Sequence, residues 1–247
     1  MSHHIVDVKD IHFAYPDGTV ALRGVSFRIF HGESVGLAGA NGMGKTSLLL
    51  NICGHLIPDK GEVFIGDITL TKKTRQEIRK KVGFVFQRTD DQLFMPTVYE
   101  DVAFGPINLG FSQEKVDERV KHALDVVGCM HLMNRPPHRL SEGQKRAVAI
   151  ATVMAMDPDI LVMDEPASNL DPKSRRQLIN LLKRFEHTKI LASHDLDLIL
   201  DVCQRCIIIR EGKVIADGPS EEILSNELLL QENSLELPLS RQQVHIR

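Results

Sequence analysis

The chain has 247 residues, 43% of them hydrophobic and 26% charged, which is ample for a substantial core in one large domain. Its 30 basic and 33 acidic residues leave a net charge of −3, so no overall field argues for nucleic acid or an acidic polymer as partner. The longest apolar stretch, residues 148–156, is too short to cross a bilayer, residues 1–8 lack the order of a secretory signal, and four scattered cysteines make no disulfide scaffold.

The first thirty residues predict antiparallel strands. Ile11, Phe13 and Tyr15 alternate with His12 and Ala14, and Val25, Phe27 and Ile29 alternate with Ser26 and Arg28. Pro16, Asp17 and Gly18 between them are turn chemistry. From Ser34 the pattern changes to short apolar strands separated by helical stretches, as in a parallel α/β core, with strands predicted over 34–38, 82–86, 160–164 and 189–193. A mostly helical insertion lies between the second and third. Its clearest helix places Val116, Val120, Ala123, Leu124 and Val127 on one face and stops at Gly128. Residues 206–210 and 214–216 flank Glu211-Gly212-Lys213 as a hairpin, a helix follows from Ser220, and residues 231–247 read as a loosely held tail.

Residues 39–46, Gly39-Ala40-Asn41-Gly42-Met43-Gly44-Lys45-Thr46, fit G-x-x-x-x-G-K-[ST] between a predicted strand and an apolar helix over 47–53. Such a loop turns successive backbone N–H groups toward phosphates, with the helix N-terminus adding positive potential. Lys45 is then placed to reach the β- and γ-phosphates of a nucleotide and Thr46 to hold Mg²⁺. Four apolar residues from Ile160 deliver Asp164 and Glu165 to the carboxyl end of a strand, where ligands bind in open α/β sheets. Asp164 suits Mg²⁺ and Glu165 suits the polarisation of an attacking water. Leu140-Ser141-Glu142-Gly143-Gln144 opens another helix, and Ser141 with Gln144 reads equally as a capping box or as a phosphate site.

Together these segments resemble the nucleotide-binding subunit of ABC transporters over nearly the whole chain. The resemblance implies a RecA-like P-loop core (1–87 and 155–230, with the β subdomain), a helical subdomain (88–154) and a C-terminal tail (231–247). It implies ATP with Mg²⁺ as the ligand, hydrolysis to ADP and phosphate, and a second ATPase subunit packed head-to-tail. Tyr15 looks like the aromatic that stacks on adenine, and Ser47 continues the P-loop. Gln87 looks like the residue that touches Mg²⁺ and attacking water, and Glu165 like the catalytic base. Ser141, Gly143 and Gln144 belong to the signature motif that contacts the partner's nucleotide. Asp171 ends the D-loop pattern Ser168-Asn169-Leu170-Asp171, and His194 looks like the switch histidine.

The string from Val82 through Gln87, Arg88, Asp90, Asp91, Leu93 and Phe94 to Pro106 is similar to the ATPase of cobalt- and nickel-type energy-coupling-factor importers, whose relatives take up vitamins. That implies integral-membrane partners and a position on the cytoplasmic face of the membrane, without insertion. Asp90 and Asp91 are expected to face a basic partner helix, with Leu93 and Phe94 as anchors. Two positions depart from the family pattern. Glu142 replaces the third-position glycine of the signature, its side chain expected to point away from phosphate, and Ala147 stands where arginine is usual. Those departures alone support a second reading, a regulatory module that binds ATP and dimerises with little turnover. The coiled coil or second cassette of a soluble repair or translation ATPase is not visible. Cys203-x-x-Cys206 has metal-like spacing but no matching second pair, and His3 and His4 read as solvated.

Overall fold

A computed structural model describes residues 4–242 of the chain. Strands β1 (His4–Ala14) and β2 (Val20–Phe30) pair antiparallel about the predicted turn, where Asp17 accepts the Thr19 N–H at 2.9 Å. Every buried position of β2 is apolar (Leu22, Val25, Phe27, Ile29), so the alternation seen in sequence is the division between core and solvent. The chain then enters β3 (Ser34–Ala38), buried throughout, and turns into α1 (Lys45–Ile52). It returns to the first sheet as β4 (Lys60–Ile65) and β5 (Ile68–Thr69), giving the order β2-β1-β4-β5.

Helix α2 (Arg75–Lys81) leads into β6 (Val82–Val85). The helical insertion follows as α3 (Val98–Asn108), α4 (Gln113–Val126) and α5 (Glu142–Met154). Strand β7 (Ile160–Asp164), α6 (Pro172–Arg184), β8 (Thr188–Ala192), α7 (Leu196–Val202), β9 (Arg205–Arg210) and β10 (Lys213–Pro219) complete a second sheet of order β10-β9-β3-β8-β7-β6. All its pairings are parallel except β9 with β10. The sheet separates two cores. Ile160 and Val162 face the one shared with α1 and the antiparallel sheet, whereas Leu161 and Met163 face the one shared with α3 to α7. Gly83 lets α5 lie close on β6, since a Cβ there would stand 2.1 Å from the Val153 side chain.

The end of the chain differs from expectation. After α8 (Ser220–Ile223) and α9 (Glu227–Glu232), residues to 242 are docked, not loose. Leu230 and Leu235 are buried, and Asp197 of α7 accepts the N–H groups of Leu239 and Ser240 at 2.8 and 3.2 Å. Arg241 ties back to Glu221 and to Ser225. Residues 243–247, and His3, lie outside the described residues. The Cys203-x-x-Cys206 pair is fully internal, and burial pushes the Cys206 thiol up to about 12 and the Cys203 thiol higher. Among the described residues no group of three metal-ligating side chains occurs, and no helix is long and apolar enough to cross a membrane.

Candidate nucleotide site

The P-loop runs from Gly39 to Thr46 between β3 and α1, where the central strand of the parallel sheet opens onto a helix N-terminus. Gly44 enters α1 at φ +99°, and a Cβ there would stand 2.5 Å from the Ala21 carbonyl, so glycine alone fits. The loop is braced from a second side by the turn between β9 and β10. The Gly212 N–H donates to the Met43 carbonyl at 3.1 Å, and the Gly212 carbonyl accepts the Arg23 N–H at 2.8 Å. Asn41 and Gly42, at the tip, are exposed, and Ala40 and Met43 are half-buried.

Lys45 is only 6% exposed; its ammonium donates to the carbonyls of Gly39 (2.6 Å) and Ala40 (3.1 Å) and lies 4.0 Å from the Glu165 carboxylate. Burial lowers its pKa, and the charges of Glu165 and Asp164 oppose that shift. Thr46 donates to one oxygen of Asp164 at 2.8 Å, while the other oxygen is buried without a hydrogen-bond partner. Burial raises the Asp164 pKa, the Thr46 bond opposing. An orphaned carboxylate oxygen beside a hydroxyl is a hard-oxygen pair that fits Mg²⁺.

Glu165 leaves β7 in a left-handed conformation, φ +46°, which is uncommon for a residue bearing a Cβ. Its carboxylate meets the His194 ring nitrogen Nδ1 at 2.8 Å and accepts the His194 backbone N–H at 3.1 Å and the Ser193 hydroxyl at 3.3 Å. Glu165 is thus fixed at the end of β7 with His194, 59% exposed in its side chain, on its outer side. Asp195 caps α7 and takes the Arg175 guanidinium in a fork at 2.8 and 3.1 Å, anchoring the turn that carries His194. On the other flank, Tyr15 stands edge-on to Phe13 and shares a hydrogen bond with the buried Ser47 hydroxyl at 2.9 Å.

Ser141, Gly143 and Gln144 form a separate group. Ser141 caps α5 in a full capping box with Gln144, so the structural reading of that pair holds. Gly143 abuts α6: a Cβ would stand 2.2 Å from the Ser174 hydroxyl, which donates to Asp171 at 2.6 Å. Among the described residues no hydrogen bond or ion pair joins this group to the cluster of Lys45, Thr46, Asp164, Glu165 and His194. Gln87 is exposed just beyond β6, with its carbonyl accepting from Arg146.

That last contact belongs to a feature the sequence reading missed. Arg146, 4% exposed, donates to the carbonyls of Phe86 (2.7 Å) and Gln87 (2.6 Å). Lys145 donates to Asp90 at 2.8 Å. Gln92 accepts the Phe86 N–H and donates to the Ala149 carbonyl and the Thr152 hydroxyl at 2.7 and 2.8 Å. Three rungs therefore lace residues 86–92 onto α5. The only sequence signal was two cations directly after the signature. One expectation is corrected by this geometry. Leu93 is a core residue and not an anchor, leaving Phe94 as the exposed one, and Asp90 has a partner of its own in Lys145 while staying 69% exposed.

A P-loop strand at the centre of a parallel sheet, an Asp-Glu pair at the end of the next strand but one and a histidine on that glutamate define an ATP-hydrolysing P-loop cassette. The family model described as "ABC transporter" matches residues 22–168, and the chain belongs to that family. A relative in Geobacter sulfurreducens whose name carries the words ABC transporter ATP-binding protein is 58% identical over 98% of this chain and 97% of its own. The energy-coupling factor transporter ATP-binding protein EcfA of Methanocaldococcus jannaschii is 45% identical over 95% of this chain and 86% of the relative. Among solved structures, CbiO1 from Clostridium perfringens, described as part of the ABC transporter complex CbiONQ, superposes with a TM-score of 0.83 at 36% identity, covering 94% of each chain.

Proposed function

We propose that this ABC ATPase powers an importer of the energy-coupling-factor type, moving a cobalt or nickel ion or a vitamin through membrane subunits to which it attaches from the cytoplasmic face. The observation that carries the catalytic half is the Glu165–His194 pair at 2.8 Å beside the Lys45, Thr46 and Asp164 cluster. Lys45 exchanges its two carbonyl partners for phosphate oxygens, and backbone N–H groups of the P-loop cradle the same phosphates. Thr46 and Asp164 would hold Mg²⁺, which when bound would neutralise phosphate charge. Glu165 accepts a proton from the attacking water, and His194 fixes the carboxylate that does so. Tyr15 carries the adenine, Ser47 orienting its hydroxyl.

The separation of Ser141, Gly143, Gln144 and Asp171 from that cluster supports a head-to-tail pair, in which each signature helix completes its partner's site. For the membrane partner, Phe94 (62% exposed) stacks edge-on against Phe104 (42% exposed) at 5.2 Å, with Ile107 also exposed on α3. This apolar patch follows Gln87 in the chain and supports docking there. The test is Glu165→Gln. Hydrolysis should fall by roughly a hundredfold or more, since the amide cannot take a proton, while ATP with Mg²⁺ should accumulate a dimer in sedimentation. Turnover near the parent rate would remove Glu165 from its role, and absence of a dimer would remove the head-to-tail pair.

A further inference from the structure

The glutamate in the signature poses an electrostatic problem that the structure answers. Glu142 occupies the first position of α5, where its carboxylate complements the helix dipole and cancels part of the positive potential an approaching phosphate would meet. Its side chain is 56% exposed, so solvent alone leaves that charge facing outward. One turn along, the Lys145 ammonium stands 3.1 Å from Glu142 and 2.8 Å from Asp90. Lys145 itself is 13% exposed, held between the two carboxylates, both of which are far more exposed.

We propose that Lys145 is a positioning residue with two tasks: it masks Glu142 at the phosphate-facing end of α5, and it holds Asp90 so that the segment after Gln87 travels with that helix. The inference deepens the head-to-tail reading and rests on it. Masking explains how a carboxylate is tolerated where the family pattern has glycine. Arg146 adds only a longer-range attraction to Glu142, its guanidinium being held on the carbonyls of Phe86 and Gln87 in the interior, whereas Lys145 makes the direct ion pair. Holding Asp90 has a different consequence. Movement of α5 toward a partner's nucleotide displaces the Gln87 segment of the same chain, so closure at one nucleotide is reported to the other. Lys145 and Arg146 thus divide the linkage, one at the charged surface and one inside.

The two tasks separate in a double-mutant design, with Lys145→Met, Glu142→Gly and their combination placed in the Glu165→Gln chain. Association with ATP and Mg²⁺ is read by sedimentation, and hydrogen exchange of residues 87–92 is read without nucleotide. Lys145→Met should weaken association at least about fivefold, the weakest case of a unit like-charge contact across roughly 4 Å in a water-like medium. Glu142→Gly alone should change it little, and the combination should recover it. Exchange at residues 87–92 should rise with Lys145→Met and stay high in the combination, since Asp90 remains released. Lys145→Arg should restore both readouts. Association unchanged by Lys145→Met, or equally weak in the combination, overturns the mask; unchanged exchange overturns the tether. If the parent Glu165→Gln chain forms no dimer with ATP, the head-to-tail reading fails first and the mask falls with it, whereas the exchange measurement still decides the tether.

Discussion

Replacing Arg146 with methionine keeps an unbranched stem in the core and removes the guanidinium that joins α5 to the strand end at Phe86 and Gln87. Two charge-assisted N–H···O=C bonds of 2.7 and 2.6 Å are lost, a gross loss of about 3–6 kcal/mol at about 1.5–3 kcal/mol each. Two effects offset it. The buried guanidinium costs desolvation, and its Nε has no partner; the Gln87 carbonyl, on an exposed residue, can bond to water instead. A net destabilisation of about 1–3 kcal/mol remains, which for a chain of this size lowers Tm by roughly 2–12 °C. Calorimetry of the purified chain measures this. The same variant should lower kcat of the ATPase more than it weakens ATP binding by the isolated chain, because Gln87 loses its main-chain anchor and the P-loop is untouched. A variant with parent Tm and parent kcat would show that the two hydrogen bonds do no more than water would, and that α5 and Gln87 are mechanically independent.

Lys45→Ala should abolish measurable ATP binding in a titration while the circular dichroism spectrum stays at the parent form, since backbone N–H groups alone cannot neutralise the phosphates. Joint replacement of Phe94 and Phe104 by serine should leave ATP binding by the isolated chain within about twofold, both rings being largely outside the core, and should reduce co-purification with the membrane subunits by about tenfold or more, as expected on losing an aromatic anchor; co-purification at the parent level would return the pair to a solvated surface.

Where function is local in the chain, it was legible in sequence. The P-loop, the carboxylate pair after Ile160 and the capping box at Ser141 each need only contiguous residues and a flanking strand or helix, and each stands where its pattern puts it. The rungs between residues 86–92 and α5 were not legible, because they join positions some fifty-five to sixty residues apart and three of their bonds run to main-chain carbonyls that carry no sequence signal. Strand β4 was missed for a different reason. Its first three residues, Lys60-Gly61-Glu62, are exposed at a sheet end, so the apolar alternation is too short to read. The docked chain end differs from expectation because Leu230 and Leu235 make no extended period of their own; they are buried in the core, and Asp197, an acid on another helix, accepts the N–H groups of Leu239 and Ser240 beyond them.

Strand β3 stands between β8 and β9, and its hydrogen-bonded neighbours all come from beyond residue 187. The brace on Met43 comes later still, from Gly212. On the ribosome, therefore, the P-loop emerges on a strand that must wait, unpaired on both edges, until β8 and β9 have followed it. Nucleotide cannot serve as a template for the nascent subunit, and a chain halted before β8 holds every P-loop residue yet lacks the frame that shapes them. Competence to bind ATP therefore waits for β8, β9 and the turn at Gly212, however early the P-loop itself stands in the sequence.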